Sequence, residues 1–292
     1  MKKSKEIRFL PLSLAITLVA MTIAACEKPI LNDESVVSDS VADKNLQITI
    51  TQLEDTPFNT SSESPTCTRL NFVVYDEAGN RLQQTNQQQG TTGFGTAAFQ
   101  LDAGTYRLVV LAHSSNGNPT LTNPSKIQFT NATGYTDTFL YYAVVEVDDE
   151  PQALSLSLHR ITSLCRVVIA DAIPDEVTCL EFTYKGGSGA FAATTGLGVV
   201  NSTQVVKYAV KGRAAPTQYD LYTFLHDTSG TLRLTAKAYD IADQVLMENT
   251  YEVPLEQDKV TQLTDTFFSG ESSGGIRITI NDQWDSDFPW PF

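Results

Sequence analysis

From Leu46 onward, apolar and polar residues alternate in short runs, and this two-residue period predicts strands. LQITITQL places Leu46, Ile48 and Ile50 on one face. LNFVVYDEAGNRLQQ reads as strand, turn and strand, with the turn at Asp76 to Asn80. AAFQLDAGTYRLVVLA repeats that plan around Asp102-Ala103-Gly104, and KIQFT, FLYYAVVEV and QALSLSLHR follow at short spacing. A second set comprises SLCRVVIA, VTCLEFTY, QVVKYAV, YDLYTFL, TLRLTAKAYD, VLMENTYEV and KVTQLTDTFF. No window of about 11 residues or more in this part holds a 3.6-residue period. Many short strands between polar turns predict an all-β chain built as sandwiches or barrels.

The run Asp148-Asp149-Glu150-Pro151 precedes the second apolar block, which sets an expected division near Ser155. The domains then read as 46–154 and 155–292. Leu101, Gly104 and Tyr106 form an L-x-x-G-x-Y spacing. A tyrosine just past a turn glycine ties a sandwich corner through its hydroxyl. Near the carboxyl end, GESSGG reads as a joint leading into IRITINDQW, with Ile276, Ile278 and Ile280 on one face. That face has two possible destinations. The strand folds back as the last strand of its own domain, or it enters the open edge of a neighbouring subunit.

The amino terminus breaks the pattern. MKKSKEIR is basic, and FLPLSLAITLVAMTIAA is apolar and ends in small residues. Pro11, Ser13, Thr17 and Thr22 dilute the run, so residues 1–25 read as a secretory signal rather than a spanning helix. Ile23-Ala24-Ala25-Cys26 resembles a bacterial lipobox, which implies cleavage before Cys26 and lipidation of its thiol. A diacylglyceryl group plus an N-acyl chain exceeds the two signals that stable anchoring needs. Residues 26–45 are acidic and aperiodic, and read as a tether. Glu27, Asp33 and Glu34 resemble the acidic export signal of Bacteroides-type surface lipoproteins, and Asp39-Ser40-Val41 fits a short O-glycosylation motif of those bacteria.

Charge narrows the function classes. The 292 residues carry 34 acids and 20 bases. Lys2, Lys3, Lys5, Arg8 and Glu6 precede Cys26, so cleavage leaves 33 acids against 16 bases, a net charge of −17. Such a chain repels nucleic acid, and no nucleic-acid partner is expected. At 41% hydrophobic, it also has the material for a core.

With Cys26 lipidated, Cys67, Cys165 and Cys179 remain. If Asp171 to Glu176 form a hairpin loop, Ala170 pairs with Val177 and Cys165 with Phe182. Cys165, Val167 and Ile169 then share the core face with Leu180 and Phe182. Cys179 lies on the other face with Arg166 and Glu181, which forbids a Cys165–Cys179 disulfide. The scattered cysteines do not form a zinc site. His113, His159 and His226 lack metal-ligand spacing. Gly186-Gly187-Ser188-Gly189-Ala190 misses the nucleophile elbow at its last position. Gly93 to Ala98 mimics a dinucleotide fingerprint, but a strand follows where a helix is needed. Neither an enzyme, a cofactor nor a metal is expected.

The second block is more specific. HRITSLCRVVIADAIPDEV carries Arg160, Asp171 and Pro174; a glycine-rich segment runs from Gly186 to Gly198; a V-P-L-x-x-x-K-V-T-x-L-x-x-x-F-F stretch closes at Phe268. With a last strand ending near Trp284, these resemble the FimB-like family of fimbrial anchor and accessory subunits, lipoproteins of Bacteroides-type (type V) pili. The resemblance spans about residues 46 to 284. It implies two tandem transthyretin-like β-sandwich domains and a non-enzymatic anchor, accessory or tip role in surface fimbriae. It implies a lipid anchor in the outer membrane and fimbrial subunits as partners, joined by β-augmentation. Anchor-type members keep their own first strand. The competing reading is a surface glycan-binding lipoprotein of a nutrient-uptake system. That reading would need aromatic platforms, for which Trp284, Trp290, Tyr135, Tyr141 and Tyr142 are the available residues.

Overall fold

The computed structural model describes residues 44–54, 56–58, 67–269, 276–282 and 284. Every helix or strand element among them is a strand, so the all-β class holds. Cys26, most of the tether, Gly274, Gly275 and Trp290 lie outside the described residues.

The first domain contains β1 (Leu46–Leu53), β2 (Thr56–Pro57), β3 (Arg69–Tyr75), β4 (Arg81–Gln88), β5 (Thr96–Phe99), β6 (Gly104–His113), β7 (Ile127–Gln128), β8 (Thr138–Val147) and β9 (Gln152–Arg160). Strands β4, β3, β6 and β8 pair antiparallel in that order. Strand β1 runs antiparallel to β5 and parallel to β9. Among the described residues, the two groups pair where Phe139 meets Arg160 and Leu140 meets His159. The sheet therefore folds over, and Leu46, Ile48 and Ile50 meet Leu70, Phe72, Leu108 and Val110 in one core. The expected apolar face of β1 is buried. The Tyr106 hydroxyl donates to the Asp102 carbonyl at 2.8 Å, the corner tie anticipated from its spacing. The expected division near Ser155 falls inside β9, where Ser155 pairs with Thr49 of the first domain.

The second domain contains β10 (Ser163–Ile169), β11 (Cys179–Lys185), β12 (Ala190–Phe191), β13 (Gln204–Ala209), β14 (Thr217–Thr223), β15 (Ser229–Tyr239), β16 (Val245–Glu256), β17 (Val260–Asp265) and β18 (Arg277–Asn281). Two four-stranded sheets, β14-β10-β17-β18 and β13-β11-β15-β16, enclose its core. This corrects the expected hairpin. Strands β10 and β11 do not pair; they stand in opposite sheets. All seven residues of β10 are buried, and such a strand belongs between two neighbours inside a sheet, here β14 and β17. The apolar residues of the two strands still turn to one core, from opposing sheets. Cys165, Val167 and Ile169 meet Leu180, Phe182 and Tyr184 across the core, and Cys67, Cys165 and Cys179 are all free thiols. Asp171 of the D-x-I-P motif accepts the backbone N–H groups of Phe268 and Ser269, each at 2.7 Å, tying that motif to the closing Phe-Phe pair.

The glycine-rich segment joins the domains. Strand β12 pairs with β7, Ala190 opposite Gln128 and Phe191 opposite Ile127. A third apolar cluster unites Val73, Tyr75, Val109 and Leu111 with Phe191, Ala193 and Phe224. The Phe191 and Phe224 rings lie 4.7 Å apart, and Phe129 and Phe224 lie 5.9 Å apart. Any side chain at Gly189 would place its Cβ 2.8 Å from the Tyr135 hydroxyl, and at Gly187, 2.0 Å from Thr223 Oγ1. Glycine is what allows this approach. The described residues accordingly fall in one compact unit.

Candidate functional site: the terminal strand and the Arg160 junction

Strand β18 returns to its own domain and pairs antiparallel with β17, from Val260 opposite Asn281 to Thr264 opposite Arg277. Ile278 faces Leu263 of the core and is half-buried. Ile276 is 58% exposed and Ile280 38%. The expected burial of three isoleucines therefore applies in part to Ile278 alone. Ile276 precedes the strand, and Ile280 stands opposite the polar Thr261. Strand β18 is the last of its sheet, and no strand pairs with its far edge among the described residues. At the opposite edge of that sheet, side chains bond part of the outer backbone. Tyr208 and Tyr184 hydroxyls and the Gln204 amide donate to the Asp220 and Tyr222 carbonyls of edge strand β14.

Beyond β18 the chain reaches Arg160, the last residue of β9. Its Nε donates to both oxygens of Asp137 at 2.8 and 3.0 Å, and its Nη1 lies 3.3 Å from Asp258 Oδ1. The guanidinium lies 4.7 Å from the Phe139 ring centre and 3.8 Å from that of Trp284. The Trp284 indole N–H donates to the Asp258 carbonyl at 3.4 Å. Burial opposes the Arg160 charge, yet its bonds and charge pairing with Asp137 and Asp258 hold its pKa above the usual value. Asp258 behaves in the opposite way. Burial lifts its carboxyl above the ordinary range, although Arg160 pulls it down. The Arg160 N–H donates to the Glu54 carboxylate, which also lies 3.6 Å from His159 Nδ1. Glu54 and Asp258 are non-glycine residues in the left-handed region, at φ 48° and 55°. Such backbone persists only where surrounding contacts fix it. A cleft of about 700 Å³ opens here, lined by Glu54, His159, Glu256 and Asp258.

The sequence singled out Arg160 and Trp284 separately, as family pattern, but carried no signal that they touch. The remaining candidates are dispersed. His113 is buried against Asn71, His159 is exposed beside Glu54, and His226 bonds the Gly198 carbonyl. No group of three or more His, Cys, Asp or Glu is placed to hold a metal ion among the described residues. Of the residues a sugar platform would need, Trp284 is stacked on Arg160, and Tyr135, Tyr141 and Tyr142 are half-buried against apolar clusters.

Two β-sandwiches joined by an apolar junction make up the described part of the chain. A family profile described as fimbrillin-A associated anchor proteins Mfa1 and Mfa2 matches residues 38–287. The chain belongs to this family and is a structural subunit of fimbriae. Among solved structures, the fimbrial anchor protein Mfa2 from Porphyromonas gingivalis is 13% identical, with a TM-score of 0.44 over 82% of this chain and 97% of that one. The tip fimbrial protein Mfa3 from the same organism is 11% identical, with a TM-score of 0.41 over 81% and 97%. A candidate adhesin from Bacteroides ovatus is 13% identical, with a TM-score of 0.49 over 73% and 85%. No curated protein matches.

Proposed function

We propose that this fimbrial subunit is a non-enzymatic anchor or accessory component, held at the outer membrane by lipid on Cys26 and joined to neighbouring subunits by β-strand pairing at β18. The observation that carries the pairing reading is the edge position of β18 with Ile276 and Ile280 exposed. An open edge offers main-chain donors and acceptors to an incoming strand, and exposed alternate side chains offer it apolar contacts. Lipidation rests on the small-small-Cys close of the apolar leader. The test separates Ile278 from its neighbours. Ile278→Ser should cost about 1–2 kcal/mol of stability, since its side chain is half-buried. Ile276→Ser with Ile280→Ser should leave the melting temperature unchanged yet abolish incorporation into fimbriae. Normal incorporation of that double variant would remove β18 as the pairing edge.

A further inference from the structure

We propose that the Arg160–Trp284 contact is a catch that holds β18 in its own sheet, and that it thereby keeps in place the edge to which a partner strand pairs; the second clause rests on the strand-pairing reading above. Strand β18 is a short edge strand. It is five residues long, pairs with β17, and packs Ile278 against the core. The Lys259–Asp282 ion pair that follows is exposed, with the Asp282 side chain 77% accessible. Exposed pairs of this kind contribute little. Trp284 has a firmer base. It lies on a guanidinium whose side chain is 14% exposed and which two carboxylates and Phe139 already orient.

The base belongs to the other domain. Arg160 and Asp137 come from the first domain, Asp258 from the β16–β17 turn of the second, and Trp284 from the terminal segment. The left-handed turn at Asp258 uses one residue twice, its carboxylate on Arg160 and its carbonyl on the indole. A small shift of the turn relative to Arg160 therefore loosens the ion pair and the indole together. The contact itself is a cation–π stack with one long hydrogen bond, which is reversible at an exposed edge.

Hydrogen–deuterium exchange on the full chain tests this. In Trp284→Ala, amides 277–281 should exchange at least about fivefold faster than in wild type, with β10 and β14 unchanged. Asp282→Asn, which removes only the exposed ion pair, should accelerate them by less than half as much. A smaller effect of Trp284→Ala, an equal effect of Asp282→Asn, or equal acceleration in β10 and β14 would each overturn the catch. Incorporation into fimbriae is then read in the same variants. Faster exchange with altered incorporation supports both ideas. Faster exchange with wild-type incorporation leaves the catch standing and removes the strand-pairing reading.

Discussion

Acidification from pH 7 to pH 5 should remove about 2 kcal/mol of folding stability through one imidazole, that of His113. This side chain has no solvent exposure. Its Nδ1 accepts the Ser115 N–H at 3.2 Å, so the ring proton sits on Nε2, which donates to Asn71 Oδ1 at 3.0 Å. Asn71 is fixed in turn by donating to Asn86 and Asn118. A second proton on Nδ1 would face the Ser115 N–H with no acceptor. Burial, aided by the positive charge of Arg69, pushes the His113 pKa down from 6.5 to about 3. The folded state therefore refuses a proton that the unfolded chain accepts, and stability falls from about pH 6.5 down to about pH 3 at ~1.4 kcal/mol per pH unit. Between pH 7 and pH 5 the loss is about 2 kcal/mol, whatever the folded value, provided it lies below about 4. Asp258, with its raised carboxyl, acts in the opposite sense, because the folded state then takes its proton first. The assay is urea unfolding at fixed ionic strength at the two pH values, for wild type and His113→Gln. The variant should be less stable throughout but nearly flat across the window. A wild-type loss under about 0.5 kcal/mol, or an equal loss in the variant, would refute the argument.

Three further outcomes follow from the packing and the leader. Phe191→Ala should cost about 3–5 kcal/mol, because the ring is fully buried in the junction cluster, and calorimetry should then resolve two transitions where wild type shows one. An unchanged single transition would mean that the junction does not couple the domains. Native-state alkylation should label Cys179 but not Cys67 or Cys165, whose thiols burial pushes up to about 12. A linked 165/179 peptide in non-reduced digests would contradict the sheet assignment. Cys26→Ala should release the protein from the outer membrane or leave it unprocessed, and unchanged membrane fractionation would show that lipid is not the anchor.

Whatever depends on near neighbours was legible along the chain. Alternation marked the strands, assigned Leu46, Ile48 and Ile50 to a core face, and put Cys165 on the apolar face of its strand and Cys179 off the apolar face of its own, because successive side chains of a strand point opposite ways wherever the strand is placed. The spacing of Gly104 and Tyr106 foretold a corner tie that spans four residues. The folded chain settled which strands pair. It set β10 between β14 and β17, kept β9 with the first domain, and turned the glycine-rich segment into the domain junction. It also brought Trp284 onto Arg160 and left Ile276 and Ile280 outside the core. Periodicity records only that an apolar face must be covered. Which surface covers it is settled by competition among all the faces of the folded chain, and that competition joins residues more than a hundred positions apart.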